Sequence, residues 1–355
     1  MTSTIIRQIG FAAVALAASL ATTSAVAEDV RWRMPMAYNS NLPGLGTTAV
    51  WVAEKLEAAS GGTIRVRTSE PGKLVPTFEI LDAVSDGKLP VGYTWIGYDQ
   101  GKVPALPLFA SVPFGLKPWA FAGWYYFGDG HEMLQEVYAH SGYNVYAQLC
   151  GMTGPETAGW YREPITSLDD YDGMKIRFAG LGGKIIERLG ASVTVMPGGD
   201  LFPALEKGTI DATEYGSPVV DESLGFDQLL RNNLYPGWHQ PFTAQHLLIN
   251  LDVWNSLTDQ QKAIVETTCT AAAFRGLAEG EFRNPPVLAR LEAEGVNIGV
   301  IPDDILMELK RIADEVLAEE AAADEDFRLV LESQRAFQEL YRLWDQRAYL
   351  PAEVN

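Results

Sequence analysis

The sequence predicts an α/β protein of two similar lobes facing each other across a central cleft, followed by long C-terminal helices. Three observations predict it. Strand-like and helix-like stretches alternate near the N-terminus, a similar alternation returns beyond residue 170, and from Thr258 onward the pattern is mostly helical. Such alternation signals a sheet with parallel strands. A length of 355 residues allows roughly two domains of ~150 residues.

In order, Val30 to Met36 is strand-like, and Asn39 to Gly44 is a loop. Ala49, Val52, Ala53 and Leu56 form a helical stripe, which Gly61-Gly62 ends. Ile64 and Val66 alternate with Arg65 and Arg67, as in a strand, and Pro71-Gly72 is a turn. Phe78 to Val84 reads as a helix and Val91 to Ile96 as a strand. Downstream, Met174 to Phe178 is a strand, Gly180 to Gly183 a loop, and Lys184 to Leu189 a helix stopped by Gly190. Val193 to Met196 is a strand, Leu201 to Lys207 a short helix, and Ile210 to Thr213 another strand. Asp303 to Glu320 and Asp326 to Asp345 are long amphipathic helices. The two α/β blocks echo each other too loosely for a solenoid.

With 47% hydrophobic and 21% charged residues the chain is globular rather than disordered. Its formal charge of −19 makes it a poor partner for nucleic acid or an anionic membrane. Anion capture would rest on a few local cations. Residues 1–27 read as a signal peptide: Arg7, the apolar run Phe11 to Ala21, then Ala25-Val26-Ala27 as a cleavage site. No later stretch reaches the ~20 apolar residues of a membrane span. A soluble exported protein, most simply periplasmic, is expected. An oxidising compartment would allow Cys150 and Cys269 to pair. Their apolar surroundings favour two small buried residues instead.

Enzyme signatures are scarce. The chain has no G-x-S-x-G, P-loop or H-E-x-x-H, and histidines 131, 140, 239 and 246 lack zinc spacing. Gly44 to Ala49 matches G-x-G-x-x-A, a weak pattern alone. Carboxylates are what remains for catalysis.

Several motifs together are more specific. Ala58 to Val66 is followed by Pro71-Gly72-Lys73-Leu74 and Leu81 to Gly87. Gly173 to Gly183 is followed by Leu189-Gly190-Ala191, Met196 to Gly199, Ala204 to Glu214 and Tyr235 to His239. This series resembles the DctP family, the substrate-binding proteins of TRAP transporters, and within it the 2-oxo-acid-binding subgroup. The resemblance covers nearly all of the chain after the signal peptide. It implies a two-lobed periplasmic binding protein fold. Lobe I would hold 28–151 plus about 240–284. Lobe II and the C-terminal helices would hold 152–239 plus about 285–355. It also implies delivery of a small carboxylate to TRAP transporter membrane subunits, without enzymatic turnover.

Arg177 stands at the end of a strand before a Gly-rich stretch. Ligands of open α/β sheets bind outside the carboxyl ends of strands, and a guanidinium offers a planar fork to a carboxylate. From spacing alone, a structural arginine in an ion pair fits equally well; the resemblance implies the substrate clamp. It further implies that Glu214 binds a metal cation bridging to the substrate, with a backbone oxygen from Tyr215. Glu156 stands where the subgroup usually has Gln, a cation ligand, so the site would hold two carboxylates and favour Ca²⁺ over Na⁺. Asn41 and Tyr98 fall where the opposite lobe would reach the ligand's far end. His239 could reach the cleft, and Gln240 replaces a frequent Glu.

Two other readings compete. One is a secreted hydrolase with Glu156 and Glu214 as an acid–base pair; the other is a sensor subunit that presents its ligand to a receptor. Leu331, Phe337, Leu340, Tyr341 and Trp344 give the last helix more apolar surface than a strap needs. A homodimer through that helix is therefore expected, against packing of the helix on its own lobes.

Overall fold

The computed structural model describes residues 29–350, so the predicted signal peptide lies outside the described residues. The strands are β1 Val30–Pro35, β2 Ile64–Ser69, β3 Val91–Thr94, β4 Val145–Thr153, β5 Gly159–Tyr161 and β6 Lys175–Arg177. They continue as β7 Ser192–Thr194, β8 Ala212–Thr213, β9 Asn232–Tyr235, β10 Thr243–Asn250 and β11 Asn297–Val300.

β1 and β2 pair in parallel, and a bridge from Met36 to Tyr93 ties them to a sheet ordered β3-β10-β4. The second sheet has six strands, ordered β11-β9-β5-β8-β6-β7. β6 runs parallel to β7 and β8, and β9 parallel to β11, as alternation predicts. The sheets are nonetheless mixed. β10 lies antiparallel between β3 and β4, and β5 antiparallel between β8 and β9. β4 and β10 are buried at every position, so neither shows the alternation of a one-sided strand.

The chain crosses from the first sheet to the second between β4 and β5, and returns between β9 and β10. The helix Asp259–Ala293 then packs along β4. Gly276 makes this contact close, since a Cβ there would come 2.4 Å from the Met152 carbonyl oxygen. Thr258 and Gln261 form a capping box at its start. Cys150 of β4 and Cys269 of this helix form a disulfide, which corrects the expectation of two separate buried thiols. Both cysteines are fully buried among apolar residues. Apolar surroundings suit a disulfide as well as a thiol, so composition could not separate the two.

Two boundaries differ instructively. Gly180 to Gly183 is the first turn of the helix Gly180–Arg188, not a loop. The last helix, Glu325–Ala348, divides along its length. Phe327, Val330 and Leu331 are buried and the Gln334 amide donates to the Leu108 carbonyl, so this half is a strap. Phe337 and Tyr341 are partly buried, whereas Leu340, Leu343 and Trp344 are 60–69% exposed. Among the described residues no helix is long and apolar enough to cross a membrane.

Candidate functional site

Arg177 is the last residue of β6, level with Thr213 of the adjacent β8, and Glu214 follows directly. Parallel pairing therefore sets the two charges side by side. Arg177 Nη1 donates to the backbone oxygen of Glu214 at 2.7 Å and to Glu214 Oε1 at 2.8 Å. The Ala179 N–H donates to the same Oε1 at 2.6 Å. Ala179 caps the helix Gly180–Arg188, so the carboxylate meets that helix's positive end.

Glu156 lies in the first crossover, and its N–H donates to the Gln240 carbonyl in the second at 3.2 Å. Gly237 allows this contact, because a Cβ there would sit 2.2 Å from the Glu156 carbonyl oxygen. Gln240 Nε2 donates to Glu156 Oε2 at 2.7 Å, and the Thr243 hydroxyl to Oε1. His239 Nε2 stands 3.5 Å from one oxygen of each of Glu156 and Glu214. Gly182 makes room for the imidazole, since a Cβ there would meet His239 Cβ at 2.8 Å.

All four ionisable side chains are buried. Burial pushes the Glu214 carboxyl up, but Arg177, His239 and the Ala179 N–H outweigh it and hold it below the usual range. Glu156 is raised, by burial first and by the Glu214 charge, with His239 and Thr243 opposing. Burial lowers His239, yet the two carboxylates prevail and lift it to about 9. The two carboxylates thus favour the protonated imidazole, and a cation held among the three groups would displace that proton.

Arg177 and Glu156, with Gln240 and Thr243, border a small cavity of about 20 Å³, room for little more than one water-sized sphere. Tyr38, Trp95, Tyr98 and Tyr215 complete its walls. A larger cavity of about 390 Å³ lies beyond it, between Asn39, Pro71 and Gly72 on one wall and Pro197, Gly198 and Asp200 on the other. Tyr38 and Tyr215 border both cavities. Arg177 Cζ lies 4.9 Å from the Tyr215 ring centre, a cation–π contact.

Several buried polar atoms here make no hydrogen bond to protein: Arg177 Nε, Glu214 Oε2, both His239 nitrogens, Tyr38 Oη and Trp95 Nε1. Leaving such atoms unpaired is costly. Nη1 of Arg177 serves Glu214 while Nε makes no hydrogen bond, so that side of the guanidinium can meet an anion. Glu156, Glu214 and His239 bring ligand atoms within 4.8 Å of one another, a donor set that can hold a cation.

The sequence-predicted residues fall into three groups. Arg177, Glu156, Glu214 and His239 converge. Tyr98 and Tyr215 line the small cavity. Asn41 does neither: it is exposed, while Asn39 borders the outer cavity. The loop turns tightly there, its Leu42 N–H bonded back to the Asn39 carbonyl, which carries Asn41 away from the cleft. The third side chain converging on the two carboxylates is His239, which was expected at the cleft but not as a metal ligand. The Tyr215 ring stacks on Arg177, a contact that does not bear on the backbone oxygen expected of Tyr215. Tyr38, Trp95 and Thr243 were not foreseen. Tyr38 follows β1 and Trp95 follows β3, at the same carboxyl ends that singled out Arg177.

The chain matches the profile of bacterial extracellular solute-binding proteins, family 7 (DctP), over residues 38–324, and belongs to that family. It is 35% identical over 318 residues to the monocarboxylate 2-oxoacid-binding periplasmic protein of Nostoc sp. PCC 7120, covering 90% of this chain and 86% of the relative. Among solved structures it resembles a TRAP transporter solute-binding protein of Bordetella bronchiseptica RB50. The match has a TM-score of 0.88 and 30% identity, over 90% of this chain and 95% of the other. That protein is a dimer with copurified calcium and picolinate in its active site. It also resembles a TRAP periplasmic solute-binding protein of Pseudoalteromonas atlantica T6c with bound sodium and pyruvate. There the TM-score is 0.86 and the identity 30%, over 90% and 97% of the two chains. The fold is thus the two-lobed fold of TRAP solute-binding proteins, as the sequence motifs implied.

Proposed function

We propose that this protein is the periplasmic solute-binding component of a TRAP transporter. It holds a small 2-oxo or 2-hydroxy monocarboxylate, such as pyruvate or lactate, and delivers it to the membrane permease. One observation carries the reading: a buried guanidinium with a free edge lies beside two buried carboxylates that converge with an imidazole. Arg177 takes the ligand carboxylate on its Nε edge. A hard cation on Glu156 and Glu214 polarises the adjacent keto or hydroxyl oxygen. Tyr98 and Tyr215 close over the ligand, and His239 sets the spacing of the carboxylates. Once the cation displaces the His239 proton, two protein carboxylates and the ligand carboxylate face one arginine, so a divalent ion balances the site better than a monovalent one; Ca²⁺ is preferred and Na⁺ is second. The relatives' pyruvate, picolinate, calcium and sodium support this assignment. The disulfide supports an oxidising, extracytoplasmic location.

The first lobe is assigned to 28–151 and about 240–284, the second to 152–239 and the remainder. The positions of the two crossovers support these limits, although the helix Asp259–Ala293 runs unbroken through the last of them. Binding without turnover is assigned because Arg177 and a bridging cation grip substrate and product alike. The test is calorimetry of pyruvate with Ca²⁺, with Na⁺ and with neither. Saturable binding that needs a cation supports the reading, and cation-independent binding removes the bridge.

A further inference from the structure

The chain carries 46 acidic and 27 basic residues, yet four arginines gather on one face of one small sheet. β1 and β2 run parallel with Arg31 opposite Arg65 and Arg33 opposite Arg67. Trp32, Met34 and Ile64 alternate with them and are buried, so all four arginines project outward and are exposed. With ~3.3 Å per residue and ~4.8 Å between strands, their stems leave the corners of a rectangle of about 5 by 7 Å. Like charges directly opposite each other repel. Compensation is partial. Arg31 reaches Asp29 at 4.0 Å and Arg65 reaches Glu57 at 3.6 Å. Among the described residues, no carboxylate lies within 4 Å of Arg33 or Arg67.

Charge on an edge strand is a common guard against stray pairing. β1 and β2 each have one strand neighbour, and the bridge to β3 stands at Met36, beyond β1. Edge protection accounts for charge on either strand, but not for four like charges facing each other in register. Such an array in an acidic protein suits a partner of opposite charge.

We propose that this arginine ladder is the docking surface for the carboxylate-rich extracytoplasmic face of a membrane protein, the permease that receives the ligand. The permease's identity rests on the transporter reading above; the chemistry of the surface does not. Guanidinium groups pair with carboxylates through two parallel hydrogen bonds. β1 and β2 run directly into Tyr38, Asn39, Pro71 and Gly72 on the wall of the outer cavity. A partner held on the ladder therefore sits beside the mouth of the cleft. The surface suits protein carboxylates better than lipid headgroups. A membrane-surface element buries apolar side chains along with its basic ones, and no large apolar side chain is exposed among the described residues before Trp119.

The test follows binding of the fluorescently labelled chain to its permease in nanodiscs of neutral phosphatidylcholine, by anisotropy at about 150 mM salt, where charges beyond ~8 Å are screened. The expected result is that Arg33→Glu/Arg67→Glu raises the half-saturating concentration at least about tenfold. Lys207→Glu/Arg231→Glu, with the same change in net charge at two exposed sites, should leave it unaltered. Pyruvate calorimetry on the same variants keeps the two readings separate, since docking can fail while ligand binding persists, and the reverse. Equal weakening by both pairs overturns the ladder in favour of net charge. Unaltered docking in Arg33→Glu/Arg67→Glu overturns it outright. So does arginine-dependent binding to empty nanodiscs containing phosphatidylglycerol, or arginine-dependent self-association by light scattering.

Discussion

Arg177 is assigned two jobs, and Arg177→Lys should separate them. One edge of the guanidinium supports Glu214 through two hydrogen bonds of 2.7 and 2.8 Å. The other edge, with Nε unpartnered, is assigned to the ligand. Arg177→Met removes both and strands a fully buried carboxylate. Breaking a buried pair costs about 3–5 kcal/mol, a large share of a typical stability of about 5–15 kcal/mol. A loss of binding in that variant would therefore say little. Arg177→Lys keeps the positive charge beside Glu214 and gives up the fork. Its melting temperature should stay much closer to wild type than that of Arg177→Met. The decisive assay is a cycle by calorimetry, with wild type and Arg177→Lys each titrated with pyruvate and with its uncharged amide. Pairing of a buried charge is worth about 2–5 kcal/mol, roughly thirtyfold to several thousandfold in affinity. Wild type should prefer pyruvate by such a factor, and Arg177→Lys should lose at least about tenfold of that preference. If the substitution weakens both ligands equally, Arg177 is structural and the clamp is wrong.

The cation bridge predicts that EGTA lowers pyruvate affinity, and that Glu156→Gln moves the preference from Ca²⁺ towards Na⁺; equal affinity in Ca²⁺ and in metal-stripped, Na⁺-free buffer would contradict it. His246 is buried, and burial lowers its pKa to about 3. The unfolded chain then takes up a proton near pH 6.5 that the folded chain refuses. Stability present above pH 6.5 is lost towards pH 3, at about 1.4 kcal/mol per pH unit. Urea titrations at several pH values should show a shallower acid loss in His246→Phe, by about one proton. The disulfide closes a loop of 119 residues, worth about 5 kcal/mol on the chain-entropy estimate. Cys150→Ala/Cys269→Ala should lower the denaturation midpoint accordingly, and an unchanged midpoint would deny the bond a stabilising role. Light scattering at micromolar concentration should give a dimer that Trp344→Glu dissociates; a monomeric wild type would refute association through the exposed end of the last helix.

Much of the site was legible because it follows a rule about backbone direction. Arg177 and Glu214 end neighbouring parallel strands, and short apolar runs closed by a charge disclose such ends. Glu156 was legible as a departure within a motif. His239 was read as a weaker candidate because nothing local marks it. It is central only because Gly237 lets the two crossovers approach and Gly182 makes room for the imidazole, and close approach is a property of the folded backbone. Tyr38 and Trp95 were missed although the same strand-end rule applies to them, since an aromatic there reads first as core. Sheet order was hidden for a related reason. β10 is wholly buried and antiparallel, so it lacks both the alternation and the βαβ rhythm that announced the other strands.

The place of β10 bears on how the protein is made. β3 and β4 belong to the first half of the chain, but they join only through β10 at residues 243–250. Until that segment emerges from the ribosome or the export channel, the first sheet has an open slot flanked by two unpaired edges. Pairings of such long sequence separation are slow to form, and the exposed edges invite aggregation meanwhile. No single stretch cut from the N-terminal part contains a complete first lobe. A fragment ending before Thr243 is expected to aggregate, and a biosensor built by splitting this protein would have to supply residues 243–250 with the N-terminal piece.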